Sequence, residues 1–482
     1  MVVGSSIGDG GISNIPGDVR GFDARTGEQR WIFHSVPQAG EFGVETWEED
    51  SWINGGHANV WAWMSYDEEL GYVYLPFSTP DNDFDGRQRP GDNLFGESLV
   101  CLDAATGERI WHFQMVHHGL WDYDLPAGPN LVDIVVDGKP IKAVAQVSKQ
   151  GFVYVFDRVT GEPVWPIEER PVPQSTRDGE QTSPTQPFPT KPLPFDRQGF
   201  TLDDVIDFTP ELRAEALDLI ETRNYTSGPL FTPPTSSGTM TMPGVGGGAS
   251  WAGAAFDPAS SMLYVASVTF PIVTVPTGWS WLPEVGGLPL TKPPYGRITA
   301  IDLNTGEHAW MSPVGDGPID HPDLQDLNLP PLGWQRRSFP LATKSLLLVP
   351  QEGKDSYSRR GDDFDDHPFL HAYDLKDGRL LGNLELPGYA RGAPMTYMAG
   401  GKQYVVMPIG GNTNPAELLA LSLDAPTAIE DFETAVPRNF SLLQNYPNPF
   451  NSGTTIVYQV GAATPVKLVI YNATGQKNPH AN

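Results

Sequence analysis

The nonapeptide DARTGEQRW at residues 23–31 returns as DAATGERIW at 103–111, DRVTGEPVW at 157–165 and DLNTGEHAW at 302–310, with a worn copy, DLKDGRLLG, starting at 374. Each copy follows an apolar strand end and carries a Thr-Gly or Asp-Gly turn suited to a tight hairpin. The four intact copies close on Trp at a fixed offset, so the unit is one hairpin plus a docking aromatic. Trp31, Trp111, Trp165 and Trp310 stand 80, 54 and 145 residues apart; insertions vary while the unit persists. Such units bury their faces only against neighbours, which is the logic of a β-propeller.

The sequence around the repeats agrees with an all-β chain. The 51 Gly and 47 Pro cut it into short apolar, β-branched runs, and its 13 Trp are many for 482 residues. YVYLPFST (72–79), GFVYVFD (151–157), MLYVASVTF (262–270), SLLLVPQ (345–351) and QYVVMPIGG (403–411) read as strands. One helix is expected, over 209–224, with a Thr cap, Pro in the first turn and Leu212, Leu217 and Ile220 near one face.

Composition excludes several classes of function. Thirty-one Lys and Arg against 59 Asp and Glu leave a net charge of −28 without a basic cluster, which argues against nucleic-acid binding. No apolar run approaches the roughly 18 residues of a spanning helix. The opening MVVGSSIGDGG lacks the basic and apolar regions of a signal peptide and reads like the inside of a domain. The single cysteine, Cys101, rules out an intrachain disulfide, a CxxCH haem site and a zinc finger.

The repeat resembles the tryptophan-docking motif of the quinoprotein dehydrogenases, eight-bladed propellers that hold pyrroloquinoline quinone (PQQ). The resemblance extends to RGFDARTGEQRW, VHHGLWDYDLPAGPNLVDI, SKQGFVYVFDRVTGEPV, PVPQSTRDGEQTSPTQPF, LFTPPTSSGTM and APMTYMAGGKQYVV, and is strongest to the membrane-type glucose dehydrogenase branch. It covers residues 1 to about 424. It implies a PQQ-dependent dehydrogenase of a sugar, glucose-type aldoses first, with alcohol or polyol oxidation as the alternative. A non-catalytic propeller scaffold is the alternative of a different class. The electron acceptor would be a quinone or a cytochrome.

The same resemblance implies a site, residue by residue. Asp9 in GSSIGDGG, Thr79 before Pro80, and Asp122 in HHGLWDYDLP match the metal-holding positions. A threonine hydroxyl is a weaker oxygen ligand than an amide carbonyl, so the metal is Ca²⁺ or Mg²⁺. Asp122 also matches the catalytic base, which takes the substrate hydroxyl proton while hydride moves to the quinone. Lys149 in SKQG matches the lysine that contacts the quinone oxygens. Trp61, with Trp63 as alternative, matches the stacking floor of the quinone, and Trp251 in GGGASWAGAAFDP belongs to a motif near the cofactor. A family asparagine falls on Val245, a departure that removes one hydrogen bond. His117 and His118 read as structural. DNDFDGRQRPGD at 81–92 places Asp81, Asp83, Asp85, Gly86 and Asp92 at EF-hand spacing, but Pro90 interrupts it and no helices flank it, so it reads as a solvated acidic loop. The acidic run at 362–366 reads as surface.

Beyond residue 424 the composition changes. Residues 425–439 read as a polar, acidic linker. Residues 440–482, with YPNPFN at 446–451, resemble the C-terminal sorting module of type IX secretion, a small β-sandwich that here stops early. That module implies type IX machinery as partner and an extracytoplasmic location: periplasm, cell surface or secreted. Five repeat copies are too few for eight blades, so the propeller of 1–424 is expected to be partial, with blades missing at its N-terminus.

Overall fold

The computed structural model describes residues 1–8, 14–352, 368–410 and 415–423, together with two short strands, Ser441–Leu442 and Tyr458–Gln459. Backbone contacts divide the chain into one unit of Met1–Tyr397 with Val405–Ala420, and a second of Met398–Tyr404 with Leu421–Asn482. In the second unit, Ser441 and Leu442 pair antiparallel with Gln459 and Tyr458. The linker and YPNPFN lie outside the described residues, as does the acidic run at 362–366.

The first unit is a succession of antiparallel sheets, the blades expected from the repeat. The first blade pairs Val2–Val3, Val19–Phe22 and Gln29–Phe33. The second is four-stranded: Ser65–Asp67, Tyr72–Pro76, Ser98–Asp103 and Arg109–Gln114. The third holds Asn130–Val136, Lys139–Val147 and Val153–Asp157. The fourth comprises Ala254–Asp257, Met262–Val268, Gly296–Asp302 and Glu307–Pro313. The fifth comprises Leu341–Ala342, Leu346–Pro350, Phe369–Asp374 and Leu380–Glu385.

Side-chain chemistry explains the nonapeptide. Asp103 Oδ1 accepts the backbone N–H groups of Ala105 and Thr106 at 2.8 and 2.9 Å, and the Thr106 hydroxyl accepts from Glu108 N at 3.2 Å. Asp and Thr thus close the turn with their own side chains. Gly107 supplies the left-handed residue at φ 77°. A register shift at Cys101/Leu102 then turns the next strand, as it does at the same place in the first, fourth and fifth blades.

Each Trp docks on the glycine of the following repeat. The Trp31 indole donates to Ala104 O at 3.1 Å, Trp111 to Arg158 O at 3.2 Å and Trp310 to Leu375 O at 3.0 Å. A Cβ built on Gly107 would fall 2.6 Å from the Trp31 ring, one on Gly161 2.6 Å from Trp111, and one on Gly378 2.3 Å from Trp310. Trp165 meets Gly306 more loosely, at 3.1 Å, with Lys191 sharing the contact. Trp31 and Trp111 are buried, while Trp165 and Trp310 are half-buried. In the worn copy Gly382 replaces the Trp, a Cβ there would meet nothing within 4 Å, and its strand is exposed throughout.

Insertions leave the blades between these docking points. Thr239–Thr241, Ile272–Val275 and Gly278–Trp281 form a separate sheet. The expected helix spans Pro210–Arg223, capped by the Thr209 hydroxyl on Leu212 N at 3.2 Å and ended by left-handed Asn224. It buries Leu212, Ala216 and Ile220; Leu217, expected on that face, is only partly buried. Spacing by four keeps 212, 216 and 220 aligned, whereas 217 is rotated off the seam.

The docking predicts a graded response to substitution. Trp111, whose ring also lies 5.9 Å from Tyr74 and 5.8 Å from Phe156, should cost about 3–5 kcal/mol when replaced by Ala. Gly161→Val should destabilise as well, while Gly382→Val should change stability by less than about 0.5 kcal/mol. Urea unfolding followed by circular dichroism measures all three.

Candidate active site

The stretch HHGLWDYDLP follows the second blade and is pinned by its aromatics. The Trp121 indole donates to Thr232 O at 2.9 Å and the Tyr123 hydroxyl to Pro243 O at 2.8 Å, both rings packing with Phe231. Asp122 takes a left-handed conformation at φ 55°, uncommon outside glycine. With the aromatics committed to the core, Asp122 and Asp124 meet one partner, Lys149. Its Nζ lies 2.9 Å from Asp122 Oδ1 and 3.0 Å from Asp124 Oδ2.

Lys149 is held by the third blade and by a glycine pair far along the chain. Ser148 and Phe152 close its turn through a backbone bond of 3.0 Å, Gly248 N donates to Lys149 O at 2.8 Å, and Phe195 N donates to Gly151 O at 2.9 Å. A Cβ on Gly247, itself at φ 72°, would lie 2.6 Å from Lys149 Cγ, so glycine is required for the lysine to fit.

Two further expected residues join this cluster. Thr79 is buried; its backbone N–H donates to Asp124 Oδ1 at 2.8 Å and its hydroxyl to Glu97 Oε1 at 3.0 Å. The Trp61 indole donates to Asp124 Oδ2 at 3.3 Å, whereas Trp63 is 76% exposed, which separates the two alternatives. Trp251 has other partners: its ring packs on Phe339 at 5.0 Å and lies under the Arg337 guanidinium at 5.3 Å. The backbone just before it, at Gly248, is what touches Lys149. Val245 is buried beside Phe84, Phe270 and Ile272, an apolar setting in keeping with the loss of the family's asparagine. Asp9 lies outside the described residues.

The acidic loop is not solvated as expected. Asp81 pairs with buried His57, Oδ1 to Nδ1, at 3.0 Å, and the ligand atoms of His57, Asp81 and Asp83 lie within 4.8 Å of one another. Asp85 is tied to Arg87 at 2.7 Å and Arg177 at 3.2 Å. Arg89 is buried and donates to Asp81 O, Asn82 O, Asn93 Oδ1 and Gly119 O. The loop is therefore an arginine-laced strap, its EF-hand spacing spent on ion pairs. His118 Nδ1 donates to Gly91 O while its Nε2 faces Glu180, and His117 pairs with Gln114 and Glu169, structural contacts in each case.

Electrostatics mark the cluster as short of positive charge. Burial raises the Asp122 carboxyl well above its usual range, with Lys149 only partly offsetting it. Asp124 is held low: burial opposes this, but the Lys149 charge and the Thr79 N–H prevail. Lys149, despite burial, is raised by both aspartates. Burial pushes Glu97 up to about 8. Carboxyl groups outnumber cations among the groups that act on one another here: Asp81, Asp83, Glu97, Asp122, Asp124 and Glu180 against His57, Arg89 and Lys149. Thr79 and Asp122 offer oxygen donors of the kind a hard divalent cation takes, and a cation there would favour the ionised form of the neighbouring carboxyls. Asp124 could have been found from its two-residue spacing to Asp122; His57, Arg89 and Glu97 carry no signal in the sequence.

His57 gives this network a pH dependence. Burial lowers its pKa, but the Asp81 hydrogen bond and the charges of Asp81 and Asp83 outweigh that and raise it to about 9. A raised folded pKa contributes stability that is complete below the unfolded value of about 6.5 and is lost as pH rises through about 9. Unfolding free energy should thus fall by about 1–3 kcal/mol from this source between about pH 6 and pH 10, and Asp81→Asn should remove most of that difference in urea titrations.

Comparison with known proteins identifies the family. The family described as "PQQ: Glucose/ethanol/alcohol dehydrogenase, beta-propeller domain" matches residues 1–278 and 276–405. The quinoprotein glucose dehydrogenase of Escherichia coli (strain K12) is 31% identical, over 86% of this chain and 54% of that protein. The quinate/shikimate dehydrogenase (quinone) of Acinetobacter baylyi is 31% identical, over 85% of this chain and 54% of its own length. The chain thus spans about half the length of these relatives. Among solved structures, the quinohemoprotein alcohol dehydrogenase from Comamonas testosteroni superposes with a TM-score of 0.59 at 21% identity, over 92% of this chain and 60% of that one, a likeness of fold. By sequence over most of its length and by its docked blades, the chain belongs to the PQQ-dependent glucose/ethanol/alcohol dehydrogenase family of β-propellers.

Proposed function

We propose that the chain carries the reaction centre of a PQQ-dependent dehydrogenase that oxidises a hydroxyl of a glucose-type aldose. The observation that carries the reading is the Lys149 bridge between Asp122 and Asp124, at 2.9 and 3.0 Å, in a buried cluster that Thr79 and Trp61 also reach. When bound, the quinone supplies a hydride acceptor and the divalent cation, Ca²⁺ or Mg²⁺, the charge that polarises its carbonyl. Thr79, Asp122 and Asp9 would hold the cation. Lys149 would contact the quinone oxygens, with Trp61 as its floor and Trp251 at the margin. Asp122 takes the hydroxyl proton, the adjacent cation would keep it ionised, and Lys149 keeps it aimed. Electrons would leave through a quinone or a cytochrome.

The rest of the chain fits an extracytoplasmic enzyme. Residues 1–424 would be the dehydrogenase propeller, 425–439 a linker and 440–482 a type IX sorting module, on the strength of YPNPFN. Five repeat copies against eight blades support a propeller completed by further blades.

Asp122→Asn should lower dye-linked turnover of the chain reconstituted with PQQ and Ca²⁺ by about 10²–10⁴-fold while quinone binding, read by absorbance, stays near wild type. Lys149→Ala should instead weaken quinone binding. The substrate panel is glucose, glycerol, simple alcohols and quinate; full activity of Asp122→Asn would remove the assigned base, and faster turnover of an alcohol than of any sugar would move the substrate.

A further inference from the structure

Glu97 is a buried carboxyl that neither the repeat nor the reaction explains. It occupies φ 51°, where a non-glycine residue is uncommon, and its backbone is fixed by Glu97 N to Ser78 O at 3.0 Å and Met115 N to Glu97 O at 2.9 Å. Its side chain is cradled by Gly119: a Cβ there would lie 1.9 Å from Glu97 Oε2, so the third residue before Asp122 must be glycine to admit the carboxylate. Its hydrogen-bond partner is the Thr79 hydroxyl, at 3.0 Å.

A hydroxyl has one hydrogen to give and two lone pairs. Spending that hydrogen on a carboxylate fixes the rotamer of Thr79, turns its lone pairs away from Glu97 and raises the electron density on its oxygen. A threonine is a weak oxygen ligand until something does this. We propose that Glu97 is a positioning residue of the metal site, accepting the Thr79 hydroxyl hydrogen and so presenting the Thr79 oxygen to a hard divalent cation. The proposal rests on the reading of Thr79 as a metal ligand and adds the residue that makes it effective. The backbone N–H of Thr79, bonded to Asp124 Oδ1 at 2.8 Å, holds the same residue from its other end. Thr79 is thus held by two carboxylates, Asp124 on its backbone N–H and Glu97 on its hydroxyl, with rotation about its side chain suppressed.

The test is calorimetric titration of the 482-residue chain with Ca²⁺ alone, which needs neither quinone nor turnover. Glu97→Gln keeps the shape and removes the charge; it should weaken Ca²⁺ binding by about 10–100-fold. In a Thr79→Val background, which has no hydroxyl to polarise, the same Glu97→Gln change should have an effect of less than about threefold. Gly119→Ala displaces the carboxylate without deleting it and should weaken binding in the same direction, which covers the case of a Glu97→Gln protein that does not fold. Wild-type affinity in Glu97→Gln, or an equal loss in both backgrounds, overturns the proposal and leaves the dehydrogenase reading intact. Absence of Ca²⁺ binding by the wild-type chain overturns the metal reading itself and this proposal with it.

Discussion

The contact between each repeat's Trp and the next repeat's Gly sets the spacing on which the rest of the first unit depends. The ring fills the place where a Cβ would stand, 2.6 Å from Trp31 at Gly107 and again from Trp111 at Gly161. Blades so joined cannot slide, because interiors are packed densely enough to transmit a fraction of an ångström. The candidate site draws on three of them. Thr79 and Glu97 flank strands of the second blade, Asp122 and Asp124 follow it, Lys149 turns within the third, and Gly247 and Gly248 precede the fourth. A hydrogen bond of 2.9 Å between Asp122 and Lys149 survives only if those blades keep one relative position.

Charge explains why so rigid a frame is needed. Gathering six carboxylates, two of them buried and four half-buried, is unfavourable unless cations and hydrogen bonds offset them. Lys149, Arg89 and His57 offset part, and each is bound at more than one point: Lys149 to two aspartates, Arg89 to four acceptors, His57 to Asp81 and Ile7 O. What is left over is negative charge that the proposed cation would offset. A looser scaffold would relieve the repulsion by moving the acids apart, or by letting in water.

Much of this was legible in the residues. The nonapeptide announced the blades because its Asp, Thr, Gly and Trp each do one local job, and local jobs leave marks in sequence. HHGLWDYDLP and SKQG were legible only through the family resemblance; the alternation of Trp121 and Tyr123 with Asp122 and Asp124, one set to the core and the other to the cluster, is visible in the structure. Glu97, His57 and Arg89 were not legible, because their partners are distant in sequence or are backbone atoms: Glu97 meets Thr79 across paired strands, and Arg89 bonds Gly119 O thirty residues away. The loop at 81–92 was misread as solvated for a related reason. Arg87 and the distant Arg177 pair with Asp85, His57 pairs with Asp81, and buried Arg89 ties the loop backbone down through Asp81 O, Asn82 O and Gly119 O.

A crystal structure of the chain grown with PQQ and Ca²⁺ decides whether one cluster receives both the cation and the quinone. If it does, an anomalous peak stands about 2.3–2.6 Å from Thr79 Oγ1 and an Asp122 oxygen, with the quinone against Lys149 Nζ and the Trp61 ring. A cation bound among His57, Asp81 and Asp83 instead, or a quinone seated away from Lys149, would contradict a single shared cluster.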